Sequence, residues 1–169
     1  MVKKLISTLT VIVLAVVGSK AASTGTVAKP FVPEETICSQ TTQNRKSEYC
    51  LSQNEYETIC SVVMAEAGAE PYLGQKAVAQ AILNACRLNN KRPLDIICQY
   101  QYTKKRPTPT DSVRNAVKAV FDRGEEAVDP RVTIFYAPAF CKSKYHESQI
   151  YSCTIGGHRF FIEREFQNK

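Results

Sequence analysis

Residues 60–87 read CSVVMAEAGAEPYLGQKAVAQAILNACR, and the rest of the chain is organised around them. The pattern predicts the end of one helix, a sharp break at residues 68–71, and a second helix. Pro71 is a favoured first-turn residue, so the second helix is expected to begin there and to end near Leu88. The fold should therefore depend on how two helices meet at this break.

A capping box fixes the start of the first helix. Ser52 and Glu55 have the S-x-x-E spacing, so Ser52 is the predicted N-cap and the helix is expected over residues 53–66. Its apolar residues then recur at helical spacing and define one buried stripe: Tyr56, Ile59, Cys60 and Val63.

Glu66 lies on this apolar face in the last turn of the first helix. Burial disfavours a carboxylate, and the partial negative charge of a helix C-terminus disfavours it too, so both effects should raise the pKa of Glu66. A carboxylic acid that stays protonated near neutral pH is suited to general acid catalysis. The alternative from spacing alone is a surface glutamate on a helix that ends early.

Two neighbouring residues are expected to be structural parts of the same region. Glu70 precedes Pro71 at a helix start, where the helix dipole favours an anion, so we interpret it as a cap rather than a second catalytic carboxylate. Gly74 lowers helix propensity, and a close approach of another group to its backbone would account for it.

The remaining segments predict short elements. A helical turn is expected over residues 94–98, and a short strand or cleft-lining segment over residues 99–103. A third helix should begin at Asp111 as its cap and end at Gly124. Residues 131–136 and 151–162 have strand composition, with Gly156-Gly157 as a hairpin turn. This mixture predicts an α+β fold.

The motif at the helix break resembles the core of the cell wall hydrolase family of the SleB-type spore cortex-lytic enzymes. That family has the pattern Glu-Ala-x-Gly-Glu-x-x-x-Gly-Gln-x-Ala-Val-Ala followed by an Asn, and residues 66–79 with Asn84 follow it. One departure is Ala69, which stands between Gly68 and Glu70, so the glycine moves by one position.

Three later segments match the same family in the same order. Residues 101–103 (Gln-Tyr-Thr) resemble its Gln-Phe-Ser, residues 135–138 (Phe-Tyr-Ala-Pro) its Phe-Tyr-Asn-Pro, and residues 155–161 its Ile-Gly-Asn-His-x-Phe-Tyr. Together the segments cover nearly all of residues 51–163. The family often has a Trp after the third motif, where this chain has Phe140 nearby.

The resemblance implies a lysozyme-like fold with Glu66 at a helix end facing a cleft. It further implies an enzyme that cuts peptidoglycan between N-acetylmuramic acid and N-acetylglucosamine. The matched motifs hold no second acidic residue except Glu70, whereas classical glycosidases need two carboxylates on opposite sides of the bond. A lytic transglycosylase with one acid/base fits this scarcity, and muramidase-type hydrolysis is the alternative.

The matched motifs also supply candidate substrate-binding residues. Gln101 could hydrogen-bond an N-acetyl or hydroxyl group, and Tyr102 and Tyr136 could stack on sugars, although strand aromatics are more often core residues. His158 could touch substrate or could be a structural hydrogen-bonding residue. No cofactor and no metal site are predicted, since the cysteine and histidine spacings fit no zinc pattern.

The N-terminus has the pattern of a secretory signal peptide over residues 1–21. A basic start is followed by an apolar run over residues 5–17 and small residues at 19 and 21, and the run is short for a membrane span. We therefore expect a polar tether over residues 22–50, partly disulfide-linked, and a catalytic domain over residues 51–165. A retained anchor is the less favoured interpretation. After cleavage of the signal peptide, the mature protein would be secreted, periplasmic or wall-associated.

Seven cysteines follow the leader, so at least one thiol is free or pairs between chains. We predict local bridges Cys38–Cys50 and Cys141–Cys153, whereas a core position accounts for the other three: Cys60, Cys86 and Cys98.

The predicted partner is peptidoglycan glycan strands, and no nucleic acid. The net charge of +6 falls to +3 when the leader lysines are removed, which suits an anionic wall polymer, and no basic run alternates with aromatics. Two alternatives come from other classes: a non-catalytic, disulfide-stapled wall-binding module, and a secreted adaptor acting through a free cysteine.

Overall fold

The computed structural model describes residues 49–169 of the chain. The predicted signal peptide (1–21) and most of the predicted tether (22–50) lie outside the described residues. The helices are α1 Gln53–Ala67, α2 Tyr72–Asn89, α3 Pro93–Gln99, α4 Asp111–Phe121 and α5 Lys144–Glu147. The strands are β1 Val132–Tyr136, β2 Ile150–Ile155 and β3 His158–Ile162, followed by a 3₁₀ turn Arg164–Phe166.

Helix α1 begins as the capping box predicts. The Ser52 hydroxyl accepts the Glu55 backbone N–H, and the Glu55 carboxylate accepts the Ser52 backbone N–H at 2.9 Å. The helix ends at Ala67, one residue beyond the prediction, because the Gly68 N–H closes the last turn onto the Met64 carbonyl.

Helix α2 is the central element of the core. Pro71 is its N-cap rather than its first helical residue, and the helix ends at Asn89, with Asn90 as a C-cap in the left-handed conformation. Small apolar side chains let α2 contact α1, α3, α4 and β1 closely. Its fully buried core residues include Ala77, Val78, Ala79, Ala81, Ile82, Ala85 and Cys86.

Two buried amides of α2 hold the connection between α4 and β1. The Gln80 side chain donates to the Val128 carbonyl at 2.9 Å and accepts the Val128 N–H at 2.9 Å. Asn84 donates to the carbonyls of Asp129 and Val132 at 3.1 and 3.0 Å. Because these amides satisfy buried backbone groups, the sheet is fixed against α2.

The segment after α3 was predicted to be a short strand or a cleft-lining segment, and it is not a strand. Residues 99–103 form no strand, because Gln101 adopts a left-handed backbone (φ 54°) that turns the chain. The cap of α4 is also one residue earlier than predicted: the Thr110 hydroxyl accepts the Val113 N–H, and Asp111 is the first helical residue. Helix α4 ends at Phe121, three residues before Gly124.

The sheet is antiparallel in the order β1-β3-β2, with both outer strands paired to β3. Opposite residues share a face, so Phe135 and Phe160 lie on one side, whereas Tyr136 and Arg159 lie on the other. Strands β2 and β3 form the predicted hairpin, with Gly156 at φ 58° in its turn. The α+β prediction is confirmed.

The described cysteines correct one disulfide prediction. Cys141 and Cys153 are free: Cys141 is exposed, whereas Cys153 packs against the core from β2. Cys60 and Cys86 are buried thiols, as predicted, but Cys98 is exposed on α3. The Cys38–Cys50 prediction includes a residue outside the described part of the chain. No helix among residues 49–169 is both long enough and apolar enough to span a membrane.

Candidate active site

Glu66 projects from the last turn of α1 and is half-buried. Its Oε1 accepts the backbone N–H of Thr103 at 3.1 Å. Thr103 lies two residues after Gln101, so the left-handed turn at Gln101 is what brings this N–H to the carboxyl. The contact joins the first matched motif to the second.

The pKa of Glu66 is raised, chiefly because burial disfavours the charged form. The Thr103 hydrogen bond and the electrostatic effect of His158 oppose this effect and lower the pKa of Glu66. The net direction is the one expected of a carboxyl that must carry a proton in order to act.

The Thr103 loop has its own support from a basic side chain. Arg106 donates to the Thr103 carbonyl at 2.5 Å and to the Lys105 carbonyl at 2.8 Å. The Thr103 hydroxyl in turn accepts the Lys105 N–H at 3.2 Å. These bonds hold the loop in the shape that presents its N–H to Glu66, and they leave Lys104 and Lys105 exposed beside it.

An aromatic wall lies next to Glu66. Tyr102 packs on Phe135 with ring centroids 6.0 Å apart, and Phe135 contacts the His158 ring edge-on at 5.5 Å. Burial raises the pKa of Tyr102 well above its ordinary value, and the nearby Glu66 charge raises it further. Tyr102 and His158 are therefore both brought to the region of Glu66.

Glu70 lies between α1 and α2 and joins them to the hairpin. Its Oε2 accepts the Gly157 N–H at 2.9 Å, and its Oε1 lies 3.3 Å from His158 Nδ1. A Cβ at Gly74 would lie only 2.9 Å from the Glu70 Cβ, which is the close approach predicted for that glycine, made by a side chain.

Gln75 supports the break from the other side. Its amide nitrogen donates to the Glu70 carbonyl at 3.0 Å, and its amide oxygen accepts the Ser112 hydroxyl of α4 at 2.7 Å. Gln75 belongs to the Gly-Gln pair of the matched motif, and its position ties the α1–α2 break to α4.

Two sequence-predicted residues have other surroundings. Gln101 is exposed at its left-handed turn. Tyr136 stacks on Phe161 at 5.8 Å and hydrogen-bonds Glu147, on the sheet face opposite to His158. The structure therefore brings Phe135 rather than Tyr136 toward Glu66, and substrate-binding roles for Gln101 and Tyr136 stay predictions. Phe140, near the position of the family's Trp, is 65% exposed.

Glu163 is a buried acid that sequence reasoning missed. Its carboxylate accepts hydroxyls from Tyr100 at 2.7 Å, Thr133 at 2.9 Å and Tyr145 at 2.7 Å. No local pattern marks it, because its donors come from three distant segments. Thr103 was also missed as a contact, although it lies in a matched motif, since its backbone N–H rather than its side chain is used.

Within residues 49–169, no three His, Cys, Asp or Glu side chains cluster in a way that could hold a metal ion. What the site offers is one carboxyl with a raised pKa, a backbone donor and an aromatic wall. That set can donate a proton to a bond placed against Glu66 and then take one back.

Two solved structures resemble the chain. One is the catalytic domain of the germination-specific lytic transglycosylase SleB from Bacillus anthracis, with TM-score 0.55 and 24% identity over 66% of this chain and 96% of that one. The other is the catalytic domain of the Bacillus cereus SleB protein, with TM-score 0.52 and 25% identity over 68% and 94%. No family model and no curated protein sequence matches.

These structures confirm the resemblance to the SleB-type family that the four motifs indicated. The lysozyme-like α+β fold expected from it is that of the SleB catalytic domains. Both alignments cover almost the whole of the solved catalytic domain.

Proposed function

We propose that the chain is an exported peptidoglycan-cleaving enzyme that cuts the β-1,4 bond between N-acetylmuramic acid and N-acetylglucosamine as a lytic transglycosylase. Glu66 is its acid and base. The observation that carries the proposal is the half-buried Glu66 carboxyl, whose pKa is raised by burial, at a helix end in the fold of the SleB catalytic domains.

The first step needs a protonated acid. Glu66 gives its proton to the glycosidic oxygen while the bond from that oxygen to C1 of the muramic acid breaks, so the N-acetylglucosamine leaves with a free hydroxyl. The raised pKa of Glu66 favours the protonated form that this step needs. Once Glu66 is an anion, the Thr103 N–H at 3.1 Å stabilises its charge.

The second step returns the proton. The C6 hydroxyl oxygen of the muramic acid attacks its own C1, and the hydroxyl proton passes to the Glu66 carboxylate. The product carries a 1,6-anhydro ring, and Glu66 is again an acid. No water enters, and every bond broken is matched by one formed.

The neighbouring carboxylates favour a mechanism with a single acid. Glu70 is engaged by Gly157 and His158, and Glu163 is buried under three hydroxyls. An inverting or retaining hydrolase would need a second carboxylate free to activate water or to attack C1. Both of these acids are already committed to protein contacts.

The surface beside Glu66 suits a glycan carrying negative charge. Tyr102 offers an aromatic ring, and carbohydrate faces pack on such rings. Lys104 and Lys105 are exposed on the loop that holds Thr103. Their ammonium groups can meet carboxylates of the wall polymer, in keeping with the basic net charge.

Mass spectrometry of digested peptidoglycan tests the proposal. The mature protein is compared with Glu66→Gln and with Glu57→Gln, a matched control on the same helix whose carboxylate pairs with Arg114 at 2.8 Å. We expect anhydro-muramic products from wild type and Glu57→Gln and none from Glu66→Gln.

Other product patterns would overturn parts of the proposal. Reducing-end products that vanish in Glu66→Gln would keep the site and make the enzyme a hydrolase. Glycan binding without any cleavage on several wall types would favour the wall-binding module. Cleavage that survives Glu66→Gln would remove Glu66 from the chemistry.

A further inference from the structure

The carboxylate of Glu70 occupies a space that three glycines leave open. An added Cβ at Gly156 would lie 1.8 Å from Glu70 Oε2, one at Gly157 2.9 Å from Oε1, and one at Gly74 2.9 Å from Glu70 Cβ. Gly74 belongs to α2 and the other two to the β2–β3 turn. Two separate elements are therefore shaped around one side chain.

This carboxylate fastens the hairpin to the helix break. The Gly157 N–H donates to Glu70 Oε2 at 2.9 Å, so the turn preceding β3 is fixed relative to the end of α1. Such a bond from a backbone donor to a charged acceptor is stronger than a neutral one. Since β3 begins at His158, the bond also fixes the position of the His158 backbone.

The imidazole of His158 is enclosed on several sides. The residue is 6% exposed, and its ring lies against Phe135 at 5.5 Å and Phe160 at 6.3 Å. Its Nδ1 is buried without a well-aligned hydrogen bond, and Glu70 Oε1 lies 3.3 Å from it, at ion-pair distance. The aromatic rings restrict the imidazole, and Glu70 supplies the charge that Nδ1 faces.

We infer that Glu70 is a positioning residue for Glu66: it locks the β2–β3 turn onto the α1–α2 break and thereby holds the His158 imidazole beside the Glu66 carboxyl. The inference rests on the acid/base role proposed for Glu66. It assigns Glu70 more than the capping role that its place at a helix start suggests.

The imidazole matters to Glu66 because its charge acts on the carboxyl. The groups that face Glu66 are the Thr103 N–H and Tyr102 from the loop after α3, and His158 from β3. Of these, Thr103 and His158 lower the pKa of Glu66 against the effect of burial. After Glu66 has given up its proton, a correctly placed His158 ring favours the anion that must next act as a base.

Glu70→Gln removes the charge while keeping the size of the side chain. It is compared with His158→Gln, with the double variant, and with Glu147→Gln as a matched control. Glu147 also pairs with a β3 residue, Arg159 at 2.7 Å, but on the opposite sheet face. The readouts are turnover and half-saturation on solubilised peptidoglycan, and thermal unfolding of each variant.

A carboxyl titration gives a readout that does not depend on activity. In protein labelled with ¹³C at the glutamate carboxyls, the Glu66 signal is assigned by its loss in Glu66→Gln. We expect Glu70→Gln and His158→Gln each to move the titration of Glu66 to higher pH, because the imidazole no longer offsets burial. The double variant should match His158→Gln alone, since Glu70 acts through His158.

In turnover, we expect Glu70→Gln to lose on the order of tenfold with little change in half-saturation, as for a displaced catalytic group. Glu147→Gln should behave as wild type. A Glu66 titration unchanged in Glu70→Gln would overturn the inference, as would effects of Glu70→Gln and His158→Gln that simply add.

Failure of the two proposals can be told apart. If wild type cuts no peptidoglycan, the proposed function fails, and the titration still decides whether Glu70 and His158 act on Glu66. If Glu66→Gln abolishes cleavage while Glu70→Gln keeps the wild-type titration and turnover, the proposed function stands and the positioning role is wrong.

Discussion

Helix α1 carries a glutamate at each end, and the two have opposite electrostatics. Glu55 in the first turn is 5% exposed and is held by Ser52 and by both Arg92 nitrogens that reach it, at 2.9 and 2.5 Å. The Arg92 hydrogen bond is the main reason that the pKa of Glu55 is lowered. Glu66 in the last turn has one backbone donor, and burial raises its pKa.

The difference shows how one helix can hold one carboxyl with a lowered pKa and another with a raised pKa. Near the N-terminus the helix dipole, the capping box and a guanidinium all favour the anion. Near the C-terminus the dipole disfavours the anion, and burial adds to this. The surroundings of Glu55 therefore favour the charged form, whereas burial of Glu66 favours the protonated form.

The largest expected difference between the two ends is in catalysis. Glu66→Gln should lower the rate of muropeptide release by roughly 10²–10⁴-fold, the usual contribution of a general acid. Glu55→Gln should stay within a few-fold of wild type at a temperature where the variant is folded. Initial rates on purified peptidoglycan measure both variants. Comparable losses of rate in the two would contradict the expected difference between Glu55 and Glu66.

A second test disrupts the contact between Gly156 and Glu70 that lies beyond the C-terminal end of α1. Gly156→Ala places a Cβ on a left-handed residue (φ 58°) and onto the Glu70 carboxylate. The strain and the displaced hydrogen bond should cost about 2–4 kcal/mol of the free energy of unfolding. The control is Gly124→Ala, which has the same backbone strain (φ 66°) in the α4–β1 connection. Equal destabilisation in urea unfolding would show that Glu70 adds nothing.

A third test removes the Arg92–Glu55 ion pair at the N-terminal end of α1. Arg92→Met leaves Glu55 buried without its ion-pair partner, which should cost roughly 2 kcal/mol, less than a fully enclosed pair because Arg92 is half exposed. Arg123→Met is the matched control, since Arg123 pairs with the exposed Glu125, and it should cost under about 1 kcal/mol. Urea unfolding measures both, and catalysis per folded molecule should survive in each.

The smallest effects should appear in the pH dependence of stability. The raised pKa of Glu66 means that the folded protein binds this proton more tightly than the unfolded chain does. The stability from this proton is present at low pH and is lost as pH rises through the folded pKa. Glu66→Gln should therefore melt a few degrees above wild type at neutral pH and show no advantage near pH 4.

Glu55 should behave in the opposite way. Because its pKa is lowered in the folded protein, its stabilising contribution is present above the ordinary pKa and is lost as pH falls through the folded pKa. Glu55→Gln should thus be most destabilising near neutral pH and should approach wild type in acid. Calorimetric scans between about pH 3 and pH 8 measure both trends, and parallel curves for the two variants would contradict the comparison.

Local signals in the sequence predicted this region well. The capping box fixed the start of α1 to the residue, the apolar stripe placed Glu66 in the last turn, and the paired glycines located the hairpin. Each depends on residues within a few positions of one another, so the physics that decides them is visible in a short window.

Contacts made across the chain were not predictable in the same way. The Thr103 N–H reaches Glu66 only because Gln101 takes a left-handed turn, which a segment alternating polar and aromatic residues does not indicate. The choice of Phe135 over Tyr136 depends on strand pairing, where a shift of one residue reverses the face. Glu163 meets donors from three segments, and no pattern near it announces that.

The sheet order carries a consequence for the timing of synthesis. Strands β1 and β2 each pair with β3, and β3 follows both of them in the chain. While a ribosome has made residues only up to Ile155, neither strand has the neighbour that it has in the finished protein. Glu70 likewise waits for Gly157 and His158. A chain made only up to Ile155 thus holds Glu66 but lacks the hairpin that completes its surroundings, so the region around Glu66 is assembled only after translation has passed β3.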